Sequence, residues 1–181
     1  MNLLTKTIKN PYFQSLILIT FIFTLAVMQN RSGFSYFENV LNKLNQIKFH
    51  GPDWELLAKQ SIATKAHLFA ALFAIALTIF QYNNKKGMLP HKVFGWLWII
   101  SMTIVAISSL FVRELNNGNF SFIHLFTILT LVSVPRIVYY ARSHQIAKHK
   151  AAVNGLVFGG LLIAGVFTFM PGRLMWNLFM G

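Results

Sequence analysis

Five stretches of the chain run almost wholly apolar, at residues 13–29, 62–82, 91–112, 120–141 and 151–170. A helix rises 1.5 Å per residue, so about 20 such residues cross the hydrocarbon core of a bilayer. Each stretch is therefore expected to be a transmembrane helix. None shows the apolar–polar alternation of a transmembrane barrel strand. The first run follows Lys6 and Lys9, as a signal peptide would, but it ends "LAVMQNR" without a small-x-small cleavage pattern. It is expected to stay as a helix. The pattern predicts an all-α integral membrane protein of five transmembrane helices, forming one domain over residues 1–181.

The long connection is 30–61. Within it Phe37, Val40, Leu41, Leu44 and Ile47 recur at helical spacing among Asn and Lys. That predicts a short amphipathic helix on the outer membrane surface. "GPDWELLAKQ" then opens a fresh helix, with Pro52 and Asp53 at its start and Glu55 and Lys59 as an i,i+4 pair. It is expected to lead straight into the second apolar run. The other loops are short, so the second to fifth runs should be antiparallel neighbours in a four-helix bundle. Pro135 is expected to kink the fourth near its inner end. Gly155, Gly159, Gly160 and Ala164 give the fifth a small-xxx-small face for close helix packing.

Composition agrees with that class. Of 181 residues, 55% are hydrophobic and 11% charged; soluble domains carry about 25% charged residues. Cysteine is absent, which excludes disulfides, thiolate metal sites and iron–sulfur clusters. The net charge of +12 does not call for nucleic acid, because basic residues flank membrane helices on the cytoplasmic side. Lys6 and Lys9, Lys85, Lys86 and Lys92, then Arg136, Arg142, Lys148 and Lys150 all fall on one side of the expected topology. The opposite side carries Arg31, Lys43, Lys48 and Lys59, offset by Glu38, Asp53 and Glu55, and further along Arg113, Glu114 and Arg173. A bacterial inner membrane protein with its N-terminus inside and its C-terminus outside is expected.

The histidines change the picture most. His50 lies in the outer loop. His67 and His124 fall near the outer ends of the second and fourth runs. His91 and His149 open the third and fifth at the inner side, with His144 just before His149. Two imidazoles from diagonal helices at one depth can ligate a haem iron from its two faces. The layout fits two haem b groups, His67 with His124 and His91 with His149, and His144 stays an alternative inner ligand. By depth the outer pair is the better placed, since His91 and His149 sit at the membrane edge. Gly95, one turn beyond His91, would let a flat ring approach the backbone. Lys65, Lys92, Arg113 and Arg136 lie at depths where haem propionates need cations, and Phe94, Trp96, Trp98 and Phe126 could pack around a ring. Arg136, about one turn inside the fourth run, could instead meet a quinone carbonyl, or extend its charge to the inner surface. Each histidine taken alone also suits an ordinary interfacial residue.

"KAHLFAALFAIALTIFQY" and "LPHKVFGWLW", with "HKAAVNGLVFGGLLIAGVFTFMPGRLMWNLFMG", resemble the uncharacterised bacterial membrane proteins grouped as the domain-of-unknown-function family DUF-2306. The likeness runs from about Lys65 to the C-terminus and is most specific at "KAH", "PHKVFG" and "FTFMPGR". The resemblance implies a multi-helix membrane protein and no particular activity. Members usually carry Arg after the histidine matching His91, and often after the one matching His149, where this chain has Lys92 and Lys150. They tend to have Met at Asn154. In architecture, the alternating histidines are also similar to the diheme bundles of the cytochrome b-561 type.

The reading is a haem b protein carrying electrons within or across the inner membrane, exchanging with a quinone or another redox partner. One rival is a cofactor-free accessory subunit of a larger membrane complex or homo-oligomer, favoured by the short loops and the glycine face. A second is a transporter, against which no carboxylate lies inside an apolar run. A third is a non-haem metal site, for which imidazoles alone are a thin ligand set.

Overall fold

The computed structural model describes residues 42–43, 47–112 and 124–180. The first apolar run lies outside them, as does all but Asn42, Lys43 and Ile47 of the expected amphipathic segment. Asn42 and Lys43 are helical and exposed. The chain divides into two compact units, one of residues 1–54 with 165–181 and one of residues 55–164.

In the first unit, helix Leu174–Phe179 buries Met175, Trp176 and Leu178. The backbone N–H groups of His50 and Asp53 donate to the carbonyls of Phe179 and Leu178, at 3.0 and 3.1 Å. Those carbonyls have no partner within the helix, so the extended segment before Trp54 satisfies them.

The second unit is a helical bundle. Helix α1 (Trp54–Lys59) carries the expected ion pair, with Lys59 Nζ 2.6 Å from Glu55. It does not run on into the next helix. Ser61 adopts an extended backbone and accepts from the Thr64 N–H at 3.1 Å, which starts α2 (Ile62–Asn83) afresh. A serine at that position serves the new helix better as a cap than as an interior residue. The end of α2 is closed by side chains: the amides of Asn83 and Asn84 and the ammonium of Lys86 donate to the carbonyls of Ile79, Phe80 and Tyr82. Gly87 turns the chain at φ +83°, and α3 (Leu89–Ser109) begins with Pro90 in its first turn.

Helix α4 (His124–Arg142) runs through Pro135 without interruption. After a turn in which His144 takes φ 55°, α5 (Ile146–Leu156) leads into a π-helical stretch, Val157–Ile163, and α6 (Ala164–Thr168). Helices α2, α3 and α4 and the span Ile146–Thr168 are each long and apolar enough to cross a membrane. Only 17–33% of each span's apolar window is buried in the protein. Much of the rest, including Phe69, Leu72, Ile79, Ile128 and Val132, is exposed. Such an apolar surface belongs in lipid, and the chain is a membrane protein.

Packing closes the bundle in chain order: α2 on α3, α3 on α4, α4 on α5 and its π continuation, and that continuation back on α2. Thus α3 stands across from the fifth span, and α2 across from α4. The core holds Ala74, Leu77, Trp98, Met102, Val134, Ile137, Leu156 and Leu161. The Trp98 indole N–H donates to Thr78 Oγ1 at 2.8 Å, and that hydroxyl donates to the Ala74 carbonyl at 2.7 Å. The polar edge of the ring is thereby satisfied inside an apolar core.

Candidate functional site

A cavity of about 350 Å³ opens at the end of the bundle that carries the two short turns, 84–88 and 143–145. Every span contributes to its wall. From α2 come Thr78, Gln81 and Tyr82; from α3 His91, Lys92, Gly95, Trp96 and Trp98. Helix α4 adds Ile137 and Arg142, and the fifth span His149, Val153 and Val157. His91 and His149, on opposite helices of the ring, therefore face one space.

Both rings are held by one nitrogen. His149 Nδ1 lies 3.0 Å from the Ile137 carbonyl. A carbonyl can only accept, so Nδ1 carries the proton, and the neutral ring keeps its lone pair on Nε2. His91 is tied twice to Gln81. The Gln81 amide nitrogen donates to the His91 carbonyl at 3.1 Å, which turns the amide oxygen to His91 Nδ1 at 2.8 Å. His91 Nδ1 is then the donor, and its Nε2 also keeps the lone pair. Anchoring the far nitrogen in this way is how proteins orient a ligating imidazole.

Gly95 serves this arrangement. A Cβ built on it would lie 3.3 Å from the Gln81 amide nitrogen, so the bare glycine lets α2 and α3 approach there. Tyr82 reaches across to the fifth span, where its hydroxyl donates to Asn154 Oδ1 at 2.5 Å. That bond joins α2 to the fifth span. Lys92, Tyr82, Trp96 and Arg142 are exposed at the rim. The cavity is apolar inside, cationic at its mouth, and offers two imidazole lone pairs.

The remaining expected site residues lie elsewhere. His67 is at the other end of the bundle, its Nδ1 3.0 Å from the Val105 carbonyl and 3.2 Å from Ser108 Oγ on α3. His124 is buried at the start of α4 as described. Lys65 donates to the Ala58 carbonyl at 2.6 Å. Arg113 lies outside the described residues. Arg136 is exposed on α4 and donates to the Tyr140 hydroxyl at 3.4 Å; it is not on the cavity wall. Nor is His144, which is exposed in the α4–α5 turn. Gln81, Tyr82, Thr78 and Arg142 were not among the expected site residues. The signal for Gln81 was a glutamine near the end of an apolar helix, ten residues before His91 across a tight turn.

Among the described residues no three of His, Cys, Asp and Glu gather to hold a metal ion. No family model, no curated protein and no solved structure matches the chain.

Proposed function

We propose that this membrane protein holds a haem b in the cavity at the turn-bearing end of the bundle and carries electrons, exchanging them with a membrane quinone. The observation that carries the reading is the pair His91 and His149: two imidazoles on opposite helices, facing one cavity, each with Nδ1 anchored and Nε2 presenting its lone pair. Two neutral imidazoles are the donor set of a six-coordinate haem iron, and no carboxylate or thiolate competes in the lining. The iron would supply reversible one-electron chemistry. The chain's own residues supply the rest. His91 and His149 would hold the iron, Lys92 and Arg142 would meet the propionates at the rim, and Trp96, Trp98 and Ile99 would line the ring's space. Gln81 and the Ile137 carbonyl would keep both imidazoles in the ligating tautomer.

Charge supports a reading of the side and of the membrane. Lys85, Lys86, Lys92, Arg142, Lys148 and Lys150 gather at this end, which supports a cytoplasmic placement in a bacterial inner membrane. His67 and His124, at the other end, are the ligands a second haem would use.

The test is a visible spectrum of the detergent-purified protein from haem-replete cells, oxidised and then reduced, with a pyridine haemochrome to count haem per chain. A Soret band that shifts on reduction, lost in His91→Ala and in His149→Ala, is the expected result. A colourless protein sinks the haem reading and leaves the cofactor-free accessory subunit.

A further inference from the structure

We propose that Arg136, Tyr140 and Lys148 form a headgroup site for an anionic phospholipid on the outer face of α4 and α5, independent of any cofactor in the cavity. Arg136 is exposed six residues before the end of α4, roughly 9 Å below that end at 1.5 Å per residue. Its guanidinium extends toward the helix end, where Nη2 donates to the Tyr140 hydroxyl at 3.4 Å and the guanidinium carbon lies 6.0 Å from the ring centre. From the first turn of α5 the Lys148 ammonium comes to 5.8 Å from the same ring centre. Two cations from two helices thus converge on one phenol.

Among the described residues the chain gives neither cation a carboxylate partner. All four of its carboxylate side chains are Glu38, Asp53, Glu55 and Glu114, none of which belongs to α2–α5. Like charges gathered at a lipid-facing surface call for an external anion. A phosphate diester accepts from a guanidinium, an ammonium and a phenol together.

The surroundings select a lipid over a soluble anion. Ile128, Val132, Arg136 and Tyr140 follow one another at i,i+4 spacing and form one ridge of α4. Ile128 and Val132 are 59% and 51% exposed. An acyl chain can lie along the apolar part of that ridge while its phosphate meets the cationic part. Two cations favour a headgroup of net negative charge over a zwitterionic one, whose own ammonium would meet Lys148.

The experiment is native mass spectrometry of the full chain released from micelles, titrated with phosphatidylglycerol or with phosphatidylcholine of matched acyl chains. Wild type should retain phosphatidylglycerol selectively at one site per chain. Arg136→Gln/Lys148→Gln should weaken that site on the order of 30-fold, since each basic residue near an anionic lipid surface is worth about fivefold. Lys85→Gln/Lys86→Gln, at the same end of the bundle, should leave it intact. Lys148→Gln alone should give an intermediate loss, which keeps the test valid should the double variant not fold. Equal losses in the two double variants would show diffuse attraction and overturn the site. Displacement by millimolar inorganic phosphate would assign it to a soluble anion and overturn the lipid. Retention unchanged in Arg136→Gln/Lys148→Gln would overturn it outright.

Discussion

The two ends of the bundle use the same residue type in different settings. At the end with the short turns, His91 and His149 each fix one ring nitrogen on a neighbour and line an open cavity ringed by cations. At the opposite end, His67 is fixed in the same manner on α3, but its surroundings are hydroxyls bonded to one another and to carbonyls. Ser108 donates to the Ile104 carbonyl at 2.6 Å, and Ser109 and Thr127 join α3 to α4 at 2.6 Å. An anchored imidazole is therefore not by itself a site. Among the described residues, what marks the first end is the cavity in front of the rings, with Gly95 on its wall where α2 and α3 approach.

The largest effect should come from deleting the ligands. His91→Ala and His149→Ala are each expected to remove the haem of the cavity end, seen as loss of one haem per chain by pyridine haemochrome. His67→Ala should leave that haem in place. If His67→Ala and His91→Ala lowered haem content alike, the two ends would be equivalent sites and the contrast between them would fail.

Next comes the group that holds His91. Gln81→Leu removes both hydrogen bonds to His91 and should weaken haem retention by about 10- to 100-fold, the usual consequence of losing the outer partner of a ligating histidine. Haem transfer to an excess of an apo-globin measures it. Gln81→Glu keeps an acceptor for Nδ1 and adds negative charge, so it should keep the haem and lower its reduction potential. A rise in potential would mean that Gln81 does not act through His91.

A smaller effect is expected from Gly95→Ala. The new methyl would stand 3.3 Å from the Gln81 amide nitrogen, tighter than a relaxed contact, so the amide must shift by a few tenths of an ångström. Haem retention should fall a few-fold, less than in Gln81→Leu, with thermal stability in detergent nearly unchanged. A drop in melting temperature with retention intact would make Gly95 a packing residue only.

Much of this architecture was legible in the sequence, for identifiable reasons. Four apolar runs matched four helices to within a few residues, because a membrane-spanning helix announces itself by length and hydropathy. Ser61 was harder: its capping role separates α1 from α2, whereas hydrophobic pattern alone ran them together. The histidines could be sorted into two ends by their positions along alternating antiparallel helices. Their relative merit could not, because depth in a helix does not report empty volume. Gln81 escaped because its partner is ten residues away across a turn whose geometry depends on Gly87 and Pro90. The role of Asn154 escaped because its partner, Tyr82, lies 72 residues earlier.

The smallest expected effect belongs to the end that carries His67, and it tests whether that end is scaffold. The hydrogen bond between Ser109 and Thr127 is short and buried, yet in a membrane such bonds average about 0.6 kcal/mol, because the separated helices find other polar partners. Ser109 also has a local outlet: it donates to the Ala106 carbonyl at 2.7 Å, so losing Thr127 leaves no orphaned donor. A double-mutant cycle of Ser109→Ala and Thr127→Ala, read by unfolding in mixed micelles, should therefore give a coupling of roughly 0.5–1 kcal/mol. Haem at the cavity end should be unaffected in all three variants. A coupling well above 2 kcal/mol, or loss of that haem, would show that the two ends communicate through α3 and α4 rather than standing as separate parts of one bundle.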